Sequence, residues 1–104
     1  MKNPNSQELQ VAVFLGGLCW RTIDAFSEAP EGVRNALRPI RAALDDSLKD
    51  IDVELFEAAP GEAFNPATMR PMLHMPAPKA VTKTLSPGFR RSTTGEVLSQ
   101  ALIA

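Results

Sequence analysis

Six of the nine prolines in this 104-residue chain fall between positions 60 and 87. Proline fixes φ at about −65°, has no backbone N–H to donate and clashes with the preceding helical turn. Spaced this closely, the prolines leave no room for a helix of ordinary length. Ahead of position 50 there are only Pro4, Pro30 and Pro39, and apolar residues there recur with a helical period. The chain therefore divides in two. Residues 1–50 form a helical hairpin, and residues 51–104 form a small, mostly antiparallel β-domain. The fold class is α+β.

Asn5 followed three positions later by Glu8 is a capping-box start for a first helix over about 6–27. Leu9, Val13, Phe14, Leu18, Ile23 and Phe26 recur on it at spacings of three to five. Val11, Leu15, Cys19 and Trp20 widen this stripe beyond what one partner helix covers. Gly16-Gly17 in its middle either permits close helix approach or is a weak point, since each glycine costs about 1 kcal/mol relative to alanine. "SEAPEG" (27–32) breaks the pattern. A second helix is expected over about 31–49, with Val33, Leu37, Ile40, Leu44 and Leu48 stepping by three or four. Pro39 lies inside it and is expected to kink or restart it. The over-wide stripe predicts a homodimer in which two hairpins form a four-helix bundle, with Phe14, Leu18 and Ile23 in the interface.

After Asp50 the period changes. "IDVELFEAA" (51–59) alternates as a strand, with Ile51, Val53 and Leu55 on one face. "AVTKTL" (80–85) alternates again, "PGF" and "TTGE" carry turn signals, and "EVLSQALIA" (96–104) is a last short strand or helix. "SPGF" is expected to be a tight hairpin turn, with Pro87 and Gly88 in its central type II positions.

The side chains that carry chemistry are sparse. His74 in "MLHMP" has no nucleophile or acid at a diagnostic spacing, and Cys19 sits in the apolar stripe as a buried, inert thiol. Adjacent acids such as Asp45-Asp46 do not share a helix face and make no acid/base pair. Zinc needs about four Cys or His ligands, and the chain has two. Arg90-Arg91 reads as a solvated strand end rather than an anion site. A net charge of −1 supplies no basic face for nucleic acid, and the ten-residue apolar run at 11–20 is too short for a membrane span. One cysteine and no secretory leader fit a reducing compartment, the cytoplasm. The pattern is that of a binding module rather than an enzyme, with no metal and no cofactor required.

From Glu31 to Ile103 the sequence resembles the C-terminal half of GrpE, the nucleotide exchange factor of DnaK-type chaperones. "EGV" (31–33) opens the second helix, "DVELF" (52–56) stands for that family's "GVE-hydrophobic" strand, and "GEAFNP" (61–66) stands for its "hydrophobic-D-P" turn, with Asn65 for Asp. "ATMRPML" (67–73) matches a helical turn, "VTKTLSPGF" (81–89) a strand ending in "G-Tyr" with Phe89 for Tyr, and "GEVLSQALI" (95–103) the last motif. Glu96 and Ser99 replace two arginines of that last motif. The family's long N-terminal paired helix has no counterpart in these residues.

The resemblance implies a non-covalent activity. The β-domain would dock on the ATPase domain of a DnaK-type chaperone, favour its open form and let ADP leave. It also implies a docking surface of Phe64, Asn65, Pro66 and Leu85, with Asn65 capping its turn and Pro66 presetting φ. Two other classes stay open at this point: a dimeric adaptor of the same fold without exchange activity, and an unrelated small α+β interaction module.

Overall fold

The Asn5 side chain accepts from the Glu8 N–H at 2.8 Å, and the Asn5 N–H donates to Glu8 Oε1 at 3.5 Å. This reciprocal box starts the first helix, α1 (Ser6–Asp24), in a computed structural model that describes residues 4–104. α1 stops three residues short of the sequence expectation. Beyond Asp24 the bonds tighten to three-residue spacing, Phe26 to Ile23 and Ser27 to Asp24. The second helix, α2 (Glu31–Lys49), keeps the expected bounds and follows Pro30 as its N-cap. It runs unbroken through Pro39, so the helix does not restart there. The residue is exposed, and its ring needs no space from a neighbour.

Two units make up the chain, Met1–Val53 and Glu54–Ala104. In the first, α1 and α2 form the helical hairpin, with Gly16, Gly17, Trp20 and Leu48 buried. Burial of both glycines favours the close-approach role over the weak point. Cys19 is only half-buried, short of the full burial expected from its place in the stripe. Asp52, set against the apolar positions in the alternation, is instead buried and takes a positive φ of 59°. The reason is local. The Asp52 and Ile51 N–H groups still bond back to Lys49 and Leu48, so these residues unwind the helix rather than begin a strand.

Six short strands follow the hairpin, all in the second unit except the first residue of β1: β1 (Val53–Phe56), β2 (Met69–Pro71), β3 (Thr84–Ser86), β4 (Gly88–Arg91), β5 (Val97–Ser99) and β6 (Ala101–Ile103). They form two three-stranded sheets, ordered β1-β4-β5 and β2-β6-β3. β4 pairs antiparallel with β5 (Phe89 opposite Ser99), and β3 pairs antiparallel with β6 (Ser86 opposite Leu102). The two registers are continuous with each other. Residues 84–91 and 97–103 are thus one long hairpin, interrupted at Pro87 and Gln100 and shared by both sheets. β2 joins β6 in parallel, Met69 beside Ala101, and the domain is mostly antiparallel, as expected, rather than wholly so. The hairpin turns at 92–95, where Gly95 takes φ 76° and bonds to the Arg91 carbonyl at 2.9 Å.

The "SPGF" turn is not formed. β3 and β4 run on from each other along one side of that hairpin, and Gly88 lacks the positive φ that a type II turn requires of its third residue. Gly88 is needed for another reason. A Cβ on it would fall 2.6 Å from both Cε atoms of the Phe56 ring, which lies against the strand there. The core of this unit is Ala58, Met69, Val81, Ala101 and Ile103, with Phe56 and Phe64 packed onto it.

Candidate functional site

The segment 61–64 is held against 79–81. Gly61 donates to the Val81 carbonyl at 2.7 Å, Val81 to Glu62 at 2.8 Å and Phe64 to Lys79 at 3.2 Å. This short ladder carries the chain into the turn at Asn65-Pro66. The Asn65 side chain accepts from the Ala67 N–H at 3.0 Å, and its carbonyl accepts from Met69 at 2.9 Å and Thr68 at 3.2 Å. Asn65 therefore caps a single turn, as its residue type leads one to expect. No further helix follows. The residues expected as a helical turn over 67–73 enter β2 at Met69, because Ala101 donates to the Thr68 carbonyl and draws the chain beside β6. Gln100 Nε2 donates to the Pro66 carbonyl at 2.8 Å and fixes the far side of the turn. Sequence reasoning gave Gln100 no role, and it sits where the hairpin is interrupted.

Among the four expected docking residues, Asn65 and Pro66 are exposed, and Phe64 and Leu85 are half-buried. Phe64 packs on the core, so its ring is in part structural. Leu85 lies on β3, at the opposite edge of its sheet from β2. With strands about 4.8 Å apart, two spacings put β3 roughly 10 Å from β2, which directly follows the Asn65 turn. Phe64, Asn65 and Pro66 are contiguous, and Leu85 stands apart from them across β6.

Arg90 is not a free solvated end. Its guanidinium meets Glu54, with Nε 2.6 Å from Oε1 and Nη2 also in contact, and it lies 5.1 Å from the centre of the Phe56 ring. Glu54 and Arg90 are each more than a third exposed, so this pair orients Phe56 more than it stabilises the fold. Nothing in the sequence pattern pairs positions 36 apart, which is why the contact was not foreseen. Thr84 similarly bridges to Ala58, accepting from its N–H and donating to its carbonyl, both at 2.9 Å.

On the hairpin, Phe14 is 65% exposed and Leu18 47%, and with Val11 and Leu15 they line one stripe of α1. Ile23, the third expected interface residue, is half-buried. Val33 and Ile40 are exposed on α2. Among the described residues, no three His, Cys, Asp or Glu side chains gather as a metal-binding group, and no helix is long and apolar enough to cross a membrane. His74 is exposed with φ 66°. Neither a protein-family model nor a curated protein sequence matches the chain.

Proposed function

We propose that this protein is a GrpE-like co-chaperone that binds the ATPase domain of a DnaK-type chaperone and promotes ADP release. The observation that carries this reading is the exposed, side-chain-capped turn at Asn65-Pro66, on a β unit that follows a helical hairpin in the order of the family's motifs. The turn is braced by the Asn65 cap and by Gln100, so a partner meets it already ordered and less entropy is lost on docking. The apolar stripe of α1 supports a homodimer of hairpins, which would leave the β unit as the recognition surface. The activity is non-covalent and needs no cofactor, and the chain works where its chaperone does, in the cytoplasm.

The test is release of a fluorescent ADP analogue from a DnaK-type ATPase domain, with and without the chain. Acceleration supports the reading. Because Phe64 packs on the core, the cleaner docking variant is Pro66→Ala with Leu85→Ala, monitored by far-UV dichroism. Loss of an interface anchor costs on the order of 2 kcal/mol, so stimulated release should fall at least about tenfold. Absence of binding by the wild-type chain refutes the proposal. Binding without acceleration selects a second reading, a dimeric adaptor, which Glu96 and Ser99 in place of the family's arginines favour.

A further inference from the structure

Between β2 and β3 the chain presents a small apolar knob. Leu73 is 84% exposed, with Met72 at 46% and Met75 at 59% beside it. The Met75 N–H donates to the Met72 carbonyl at 3.0 Å and closes a four-residue turn. His74, the third residue of that turn, takes φ 66°, the left-handed value that a type II turn demands there and that histidine tolerates better than most residues. Closure brings the Cα atoms of residues 72 and 75 within about 7 Å of each other. Pro71 and Pro76 fix φ on either side. Two thioethers and one imidazole thus leave a single tight turn, all three exposed and free to reorient.

We propose that Met72, His74 and Met75 form a binding site for a soft monovalent cation of the Cu(I) class. Thioether sulfur and imidazole nitrogen are neutral donors, and the sulfurs are polarizable. Such a set favours a singly charged, soft ion over Zn²⁺ or Mg²⁺, which seek thiolate or carboxylate partners. Methionine has three rotatable bonds, so both sulfurs can turn toward one ion without moving the backbone. Met69 is not part of the set. It is buried, and its sulfur accepts from the Asn65 N–H at 3.4 Å.

The experiment uses the full chain in a Cys19→Ser background, because the half-buried thiol of Cys19 would compete for the same ions. The methionine methyl groups are ¹³C-labelled, and the protein is titrated with Ag(I), then with Cu(I) against a chromogenic chelator. One equivalent should shift the ε-methyl signals of Met72 and Met75 and the His74 ring signals, and leave Met69 in place. Met72→Leu and Met75→Leu keep the apolar volume and remove the sulfur. Each should weaken binding at least about tenfold, with dichroism unchanged. Failure of stoichiometric Ag(I) to give a saturable shift overturns the proposal, as does unchanged affinity in both leucine variants.

Discussion

Gly88→Ala separates two opposed effects whose sizes are known. Gly88 is buried in β4 and does not have a positive φ, so alanine fits its backbone there. On backbone grounds alone the substitution stabilises by about 0.4–1 kcal/mol, because the unfolded chain loses freedom. Against this stands the Phe56 ring, whose Cε atoms would lie 2.6 Å from the new Cβ. The ring is not free to swing aside. It packs on the core on one side, and the Arg90 guanidinium sits 5.1 Å from its centre. Overpacking of this kind costs about 1–3 kcal/mol. The clash wins, with a net loss of about 1–2 kcal/mol. For a unit of this size that lowers Tm by roughly 5–15 °C. Thermal unfolding by far-UV dichroism reads the change, and the double variant Phe56→Leu, Gly88→Ala supplies the control. Relief of the clash should make the alanine less damaging in the leucine background than in the wild type. A Gly88→Ala protein as stable as wild type, or more stable, refutes the assignment of Gly88 as a close-approach residue.

Other expectations follow from single sites. Pro39→Ala restores a backbone donor in the middle of α2 and should raise stability by about 1–3 kcal/mol, seen as a higher denaturant midpoint at unchanged slope. Leu18→Asp falls on an exposed position, so the hairpin should keep its dichroism while light scattering reports loss of the dimer mass; a wild-type chain that is monomeric at tens of micromolar disproves the dimer. Ile103→Ala removes a fully buried side chain from the core of the β unit and should cost about 2–5 kcal/mol, enough to abolish its cooperative melting.

The helical half was legible in the sequence because its signals are local. The Asn5–Glu8 box, the bounds of α2 and the change of period after Asp50 each depend on residues a few positions apart. The Asn65 turn was legible for the same reason, since an Asx side chain bonds within its own turn. The β unit was read less well. "PGF" has turn chemistry, yet the pairing of 84–91 with 97–103 keeps the chain extended through it, and long-range pairing outweighs a dipeptide preference. The family resemblance implied a helical turn at "ATMRPML", yet β6 captures it from some 30 residues away, Met69 facing Ala101. At the candidate site, Asn65 and Pro66 are exposed, as turn residues of their type usually are, while the distance of Leu85 across β6 had no sequence signal at all.

The shared hairpin also governs how the β unit comes apart. Its two strands are members of both sheets, so the β4–β5 pairing of one sheet and the β3–β6 pairing of the other open together. The unit should therefore behave as one cooperative block, with amides of β4 and β6 exchanging hydrogen at a common, slow rate. Assembly has a natural order too. The loop at 92–95 joins partners that are close in sequence, so zipping starts there with little entropy lost on loop closure. β1 and β2 must then arrive from far along the chain, which makes them the last to dock and the first to fray. The Asn65 turn leads directly into β2, so the proposed recognition surface matures only when folding is nearly complete.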